Sequence, residues 1–140
     1  AYIEEYKAIA LQEMKVFGIP ASIKLGQALL ESEAGQSMNA ISLNNHFNLR
    51  CGELQTGYYT EMPSGMFNEF GSVYDGWRAH SKYLVTNDYA NLRKAAGNDY
   101  KIWAAGLKTL GYSAERDYAE KLIGIIEYYN LQELDVQKEQ

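Results

Sequence analysis

Hydrophobic side chains recur every three or four positions through most of the chain, which is the period of an amphipathic α-helix. The first such run extends from Ile3 to Phe17 and stops at Gly18. A second run begins at Pro20, a residue suited to a first helical turn, and ends near Gly35, which suits the left-handed position that closes a helix. The short connection between the two runs predicts a pair of closely packed helices.

Four further helices are predicted after residue 71, each with one apolar stripe. The stripes are, in chain order, Val73, Trp77, His80 and Leu84, then the segment 89–96, then Trp103, Leu107 and Leu110, and finally Tyr118, Leu122, Ile125 and Tyr129. A capping pattern at Ser72 and Asp75 precedes the first of them. Residues 37–42 predict one short helical turn, and the tail after Leu131 is expected to fray.

One β-element is predicted, a hairpin with strands at Tyr58–Met62 and Met66–Phe70. Both strands are rich in β-forming residues, and the Pro-Ser-Gly segment between them supplies turn residues. A chain of 140 residues is long enough for one substantial core, so we expect a single domain over residues 1–140. Helices around one hairpin predict an α+β fold.

Composition excludes several classes of function. No apolar run approaches the roughly 20 residues of a membrane helix, so we expect no membrane insertion. The net charge is −5 and Lys and Arg do not cluster, which argues against a nucleic-acid partner. The single cysteine, Cys51, excludes an internal disulfide, and His46 and His80 lie far apart in the sequence. We therefore expect neither a metal nor a cofactor.

Tyrosine is abundant, with 12 residues in the chain. Its ring has an apolar face that stacks on sugar rings, and its hydroxyl forms hydrogen bonds. An acidic, tyrosine-rich domain therefore suits a neutral, polyhydroxylated ligand. The alternative interpretation is that many of these tyrosines fill the core and keep their hydroxyls at its edge.

The most specific candidate for chemistry is Glu31, near the end of the second helix. It lies at the border of the apolar stripe of that helix, whereas Glu33 is expected to point to water. Burial at such a border disfavours the charged carboxylate and raises its pKa, as a general acid near neutral pH requires. The pattern alone also fits an ordinary amphipathic helix with solvated glutamates.

Five motifs follow one another along the chain: IPASIKLGQALLESEAG at 19–35, NNHFNLR at 44–50, WAAGLK at 103–108, GYS at 111–113 and DYAEKL at 117–122. In this order they resemble the peptidoglycan glucosaminidases of glycoside hydrolase family 73, which include autolysins and flagellar-rod hydrolases. The resemblance covers nearly the whole chain. It implies a lysozyme-like α+β fold, with a helical lobe, a small hairpin lobe and a groove between them.

The resemblance also implies catalytic residues. Glu31 matches the catalytic glutamate, and Glu61, near the hairpin tip, is the best match to a second acidic residue of the family. Glu69 and Glu53 are weaker candidates for that second residue, and a solvated hairpin charge is the alternative for Glu61. Tyr118 matches a tyrosine that projects into the active site, although it also fits a core anchor at the start of the last helix.

Four residues are candidates for substrate binding on the same resemblance. Asn45 and Phe47 belong to the segment that lines the cleft of the family, and Trp103 and Tyr112 lie in its later motifs. Phe47 also fits a core anchor. His80 matches a family histidine, and we expect it to be a core residue bonded to the backbone rather than a catalytic base.

The chain departs from the family pattern at four positions. Glu33 follows Glu-Ser where glycine is frequent, and Asn48 replaces the glycine after Phe47. In the second hairpin strand Asn68 replaces an arginine, and Phe70 replaces a nearby tyrosine. These departures retain the acid and affect the shape of the subsites and the substrate preference.

The resemblance implies an endo-β-N-acetylglucosaminidase that cleaves the β-1,4 bond between N-acetylglucosamine and N-acetylmuramic acid. Glu31 would protonate the leaving oxygen, and either a second carboxylate or the 2-acetamido group of the substrate would manage the oxocarbenium ion. A widely separated second carboxylate predicts inversion, and the sequence leaves both options open. The alternatives are a lytic transglycosylase, which needs one glutamate, and a non-catalytic glycan-binding module.

The expected partner is the glycan strand of peptidoglycan, bound by a monomer. Such a substrate implies secretion or a place in the cell envelope, although the chain shows no signal peptide at Ala1.

Overall fold

A computed structural model of the chain describes residues 1–50, 52–54 and 58–136. Cys51 and the end of the tail, residues 137–140, lie outside the described residues, so the expectations for them stay predictions. The elements are α1 (Tyr2–Phe17), α2 (Ala21–Ser32), α3 (Met38–Leu43), β1 (Tyr58–Met62), β2 (Gly65–Glu69), α4 (Val73–Leu84), α5 (Asn87–Ala96), α6 (Tyr100–Thr109), α7 (Tyr118–Tyr128) and a 3₁₀ helix (Leu131–Asp135). The predicted helices, the hairpin and the α+β class are confirmed.

Helix α2 lies at the centre of the molecule, in contact with α1, α6, α7 and the 3₁₀ helix. Its residues 21–28 are all buried. A Cβ atom on Gly26 would lie 2.9 Å from a methyl group of Leu122 and 3.0 Å from Ile126, so this glycine allows α7 to approach closely. The prediction of a single apolar stripe is therefore wrong for α2, because packed elements surround its circumference.

The predicted end of α2 near Gly35 is also wrong, because the helix ends at Ser32. The Ser32 hydroxyl donates to the Ala28 carbonyl at 2.5 Å and accepts from the Gly35 amide at 2.8 Å, which turns the chain early. Glu33 then takes the left-handed capping position with a φ of 52°. As a result, Glu31 lies in the last turn of the helix.

The 3₁₀ helix docks against the beginning of α2, where the sequence predicts a fraying tail. The Asp135 carboxylate accepts from the backbone amide of Ser22 at 2.8 Å and from its hydroxyl at 2.5 Å. Leu131 is buried against the core. Asp135 therefore supplies a cap to α2 from 113 positions away, and the expectation of fraying is wrong for residues 132–135.

Strands β1 and β2 form an antiparallel hairpin in which Thr60 pairs with Phe67 and Met62 pairs with Gly65. Two backbone bonds connect the hairpin to the helical part, from the Asn68 amide to the Leu49 carbonyl and from Phe70 to Leu43, both at 2.9 Å. The hairpin therefore stands as a small lobe beside the helices. Within the described ranges, every helix is too short or too polar to cross a membrane.

Helix α4 begins as predicted, because the Ser72 hydroxyl accepts from the Asp75 amide at 3.1 Å. An ion pair then connects α4 to α1. The fully buried Glu13 carboxylate accepts three hydrogen bonds from the Arg78 guanidinium, the shortest at 2.8 Å. This pair fixes the N-terminal helix against the rest of the core.

Candidate active site

Glu31 lies at the rim of a cavity between the end of α2 and the tip of the hairpin. The cavity has a volume of about 270 Å³. Its walls come from three separate segments, which are Glu31, Glu33 and residues 37–39, then Asn48, and then Met62, Pro63 and Ser64 of the turn. The fold thus forms the groove between helices and hairpin that the sequence predicts, with Glu31 on its wall.

The Glu31 carboxyl is half-buried, and burial is the main cause that raises its pKa above the ordinary value. The negative charges of Glu115 and Glu53 raise this pKa further, whereas hydrogen-bond donors at Asn48 and Tyr118 lower it. The direction that the sequence predicts for the Glu31 pKa is confirmed. The carboxyl therefore retains its proton to a higher pH than a solvated glutamate does.

Asn48 holds Glu31 at two points. Its side-chain amide donates to Oε1 of Glu31 at 3.1 Å and to the backbone carbonyl of the same residue at 3.0 Å. The second bond satisfies a carbonyl in the last helical turn, where the helix itself offers no partner. The sequence identifies Asn48 only as a departure from the family pattern, and gives no sign of these bonds.

Tyr118 is fully buried at the start of α7, beneath Glu31. Its hydroxyl accepts a hydrogen bond from the side-chain amide of Gln27 at 2.9 Å and acts on the Glu31 carboxyl, whose pKa it lowers. Burial raises the pKa of Tyr118 itself, so the hydroxyl stays protonated. Tyr118 is thus a buried neighbour of the Glu31 carboxyl and not a residue on the open surface.

Tyr112 stacks on Tyr118 with 5.9 Å between ring centroids and meets Tyr89 edge-on at 6.3 Å. Its hydroxyl is buried and has no hydrogen-bond partner among the residues that the structure describes. Burial raises the pKa of Tyr112, and the charge of Glu31 raises it further. A buried hydroxyl without a partner is unusual in a folded protein, which distinguishes Tyr112 from the other aromatic residues near Glu31.

A second, larger cavity of about 650 Å³ has walls from Glu53, Leu54, Phe70, Tyr83 and α4. It does not include Glu31, but the negative charge of Glu53 acts on the pKa of both Glu31 and Tyr83. The Glu53 carboxylate accepts from the Arg50 amide at 2.5 Å. The sequence names Glu53 only as a weaker acidic candidate and does not identify Tyr83.

Glu61 is exposed on β1, opposite Met66. The three residues that follow Glu61 line the cavity of Glu31. Among the described carboxylates, those whose charges act on the Glu31 pKa are Glu115 and Glu53. Glu61 is therefore next to the groove in the chain, but its side chain faces solvent.

Asn45 is fully buried, and its side chain bonds only to the protein. Its amide donates to the Leu49 and Asn68 carbonyls, and its carbonyl accepts from the Leu49 amide, each at 3.0 Å. Asn45 therefore shapes the loop that carries Asn48 and joins it to β2. The structure gives it this supporting position where the resemblance implies contact with substrate.

Phe47 and Trp103 are also core residues, with 2% and 0% of their surface exposed. The Phe47 ring stacks on His80 at 3.7 Å, and the Trp103 indole donates to the Gly97 carbonyl at 2.9 Å. Neither residue lines the cavity of Glu31 or the larger cavity beside Glu53. For Phe47 the structure agrees with the core-anchor alternative.

His80 is buried as predicted, but its partner is a side chain and not the backbone. Nζ of Lys24 lies 2.8 Å from Nδ1 of His80 and donates to the Trp77 carbonyl at 2.8 Å. Burial lowers the pKa of both Lys24 and His80, which favours their neutral forms. Within the described part of the chain, His, Cys, Asp and Glu form no group of three or more that could bind a metal.

Comparison with known proteins identifies related sequences. The family described as mannosyl-glycoprotein endo-beta-N-acetylglucosaminidase matches residues 7–131. The exo-glucosaminidase LytG of Bacillus subtilis is 33% identical over 129 residues, which are 81% of this chain and 45% of LytG. The peptidoglycan hydrolase FlgJ of Vibrio cholerae is 24% identical over 141 residues, which are 89% of this chain and 42% of FlgJ. The chain thus spans less than half the length of these two relatives.

A solved structure supports the fold. The crystal structure of a peptidoglycan hydrolase from Sphingomonas sp. A1 superposes with a TM-score of 0.76 at 22% sequence identity. The superposition covers 99% of this chain and 96% of that one. The two therefore share the lysozyme-like α+β architecture that the sequence predicts.

Proposed function

Since the chain belongs to this glucosaminidase family of glycoside hydrolases, we propose that it cleaves the β-1,4 bond between N-acetylglucosamine and N-acetylmuramic acid in peptidoglycan. The name of FlgJ, a peptidoglycan hydrolase, supports the substrate, and the name of LytG, an exo-glucosaminidase, supports cleavage at N-acetylglucosamine. The observation that carries the proposal is the position of Glu31. It is a half-buried carboxyl of raised pKa on the wall of a groove, held by Asn48 and adjacent to Tyr118.

In the proposed reaction, Glu31 is the general acid. Its proton moves to the glycosidic oxygen as the bond from that oxygen to C1 of N-acetylglucosamine breaks. The leaving group departs as the 4-hydroxyl of N-acetylmuramic acid. Water supplies the hydroxyl that C1 finally carries, and the proton lost by that water goes to a base. The product is a glycan strand that ends in a reducing N-acetylglucosamine.

We propose Glu61 as the second carboxylate, because it directly precedes the hairpin tip that lines the groove. Glu53 is the alternative, since its charge already acts on Glu31. NMR identifies which anomer of the product forms first. The α anomer indicates inversion, and the β anomer indicates retention, as expected if the acetamido group of the substrate is the nucleophile. Activities of Glu61→Gln and Glu53→Gln then identify the carboxylate, because loss in one variant alone assigns the role to that residue.

For substrate binding, we propose Tyr112, because its buried hydroxyl has no partner among the described residues. A hydroxyl or acetamido group of the sugar would satisfy it. We assign Asn45, Phe47 and Trp103 to support of this site, since the Asn45 amide, the Phe47 ring and the Trp103 indole already have partners within the protein. A peptidoglycan substrate also implies action outside the cytoplasm. We expect the active form to be a monomer.

Digestion of purified peptidoglycan tests the proposed function. The soluble products are reduced and identified by mass spectrometry. Reduced N-acetylglucosamine ends support the proposal. The lengths of the released fragments then distinguish internal cleavage from the release of terminal units, the exo activity that the name of LytG describes. Anhydro-muramic ends would instead assign the protein to the lytic transglycosylases. No release from walls of several origins would leave a glycan-binding module.

A further inference from the structure

Asn48 has a left-handed backbone conformation, which is unusual for a residue other than glycine. Its φ is 53°, in the left-handed region that favours glycine, and glycine is the residue of the resembled motif at this position. Asparagine tolerates this region better than most residues, but a glycine would fold there at least as easily. The conformation alone therefore does not explain why the chain carries a side chain here.

The hydrogen bonds of Asn48 use every polar atom of its amide. The two amide hydrogens of its side chain go to Oε1 and to the backbone carbonyl of Glu31. Its own carbonyl oxygen accepts from the side-chain amide of Asn39 at 3.0 Å. If the Asn48 amide were flipped, its oxygen would face two acceptors on Glu31 and its NH₂ group would face the donor of Asn39. Only the observed orientation therefore forms all three hydrogen bonds.

This orientation distinguishes the two oxygens of the Glu31 carboxyl. In a neutral carboxylic acid, one oxygen is a carbonyl acceptor and the other carries the proton. Oε1 accepts a hydrogen bond from Asn48, which favours Oε1 as the carbonyl oxygen and leaves Oε2 as the oxygen to carry the proton.

We propose that Asn48, itself held by Asn39, is a positioning residue that fixes the Glu31 carboxyl and assigns its acidic proton to Oε2. This inference rests on the proposed function of Glu31 as general acid. It adds a chain of three side chains, from Asn39 through Asn48 to Glu31, along one wall of the groove. Asn48 thereby acts through Glu31 and does not itself transfer the proton.

The test is Asn48→Gly, which keeps the left-handed backbone and removes only the amide. We expect kcat on peptidoglycan to fall about tenfold, the size of one lost charge-assisted hydrogen bond, with KM changed less than about twofold. The basic limb of the kcat–pH profile should move to higher pH, because Asn48 lowers the Glu31 pKa. A purely structural role would not move that limb.

The other titratable side chains near Glu31 are unchanged in Asn48→Gly, so they do not account for a shift in the basic limb of its kcat–pH profile. They are Glu33 in the same cavity, the charges of Glu53 and Glu115, and the hydroxyls of Tyr112 and Tyr118. The control is Asn130→Gly, which replaces another left-handed asparagine, with a φ of 56°, at an exposed site before the 3₁₀ helix. It should keep the wild-type kcat and pH profile.

Asn48→Asp is the second variant, with the same shape and an acceptor in place of the donor. It should move the basic limb further than the glycine variant, and it decides the matter if Asn48→Gly does not fold. An active wild type whose kcat and pH limb are unchanged in both folded variants would overturn the role of Asn48. An inactive wild type would overturn the proposed function instead, which keeps the two failures distinct.

Discussion

The proposed general acid, Glu31, also affects the stability of the protein through the pKa of its carboxyl. Burial raises its pKa in the folded state, so between the unfolded and folded values the native protein holds a proton that the unfolded chain releases. The free energy of unfolding therefore decreases as pH rises through this window. Glu31→Gln is neutral at every pH, and we expect it to be more stable than wild type at pH 7.

The gain in Glu31→Gln should vanish below about pH 4, where the glutamate is neutral in both states. Thermal unfolding across this range measures the effect. Glu33→Gln is the matched control, because Glu33 is exposed two positions later. Equal stabilisation by both substitutions would show that burial of Glu31 is not its cause.

At the residue scale, the sequence predicts the place of Glu31 and the direction of its pKa, because both follow from position on one helix. It does not predict which side chains meet the carboxyl. Asn48 comes from a loop 17 positions away, and Tyr118 comes from a helix near the other end of the chain. Asn45, Phe47 and Trp103 are buried by tertiary contacts that a local motif does not contain.

Among the elements, the contact between the 3₁₀ helix and α2 makes a stability prediction. Asp135 accepts two hydrogen bonds from Ser22 at the start of the central helix. Asp135→Ala should lower the free energy of unfolding by about 2 kcal/mol, the upper range for a lost helix cap. Urea unfolding measures this change.

Glu133→Ala, at an exposed position of the same 3₁₀ helix, is the comparison for Asp135→Ala and should change stability by less than about 0.5 kcal/mol. If the two substitutions cost the same, Asp135 does not cap α2.

Helical periodicity and turn residues are local, so they predict the order and type of the elements. The end of α2 follows instead from the Ser32 hydroxyl, which bonds to both sides of the turn. The burial of Lys24 and Gln27 likewise follows from neighbours on every side of the helix. A polar residue in a helix normally marks a solvated face, and here that rule fails because α2 has no solvated face along residues 21–28.

At the scale of the whole molecule, the ion pair between Glu13 and Arg78 joins the N-terminal helix to α4. Arg78→Met keeps an apolar stem against Phe17 but leaves the buried Glu13 carboxylate without its cation. Glu13 is fully buried, whereas 31% of the Arg78 side chain is exposed. We therefore expect a loss at the lower end of the range for a broken buried pair, about 3 kcal/mol in urea unfolding.

The exposed pair of Glu4 and Lys7 on α1 provides the control for Arg78→Met. Lys7→Met should change the free energy of unfolding by less than about 0.5 kcal/mol, since exposed ion pairs contribute little. Similar losses in both variants would contradict a special contribution from the buried pair.

The groove itself exists only in the assembled molecule. Its walls come from the end of α2, the loop at Asn48 and the hairpin turn at residues 62–64. The sequence predicts a helical lobe, a hairpin lobe and a groove, because the motifs of the family occur in order along most of the chain. It cannot predict which residues face that groove, since this depends on how the three segments meet.

Glu31 as general acid is the central claim. Its most direct test compares Glu31→Gln with Glu133→Gln on purified peptidoglycan, because Glu133 is an exposed glutamate of the 3₁₀ helix and does not line the groove. The rate at which reducing N-acetylglucosamine ends appear is measured for both variants and for wild type, with each fold checked by circular dichroism. We predict a loss of about 10²- to 10⁴-fold for Glu31→Gln, the contribution of a general acid, and a wild-type rate for Glu133→Gln. A folded Glu31→Gln that releases these ends at the wild-type rate would contradict the claim.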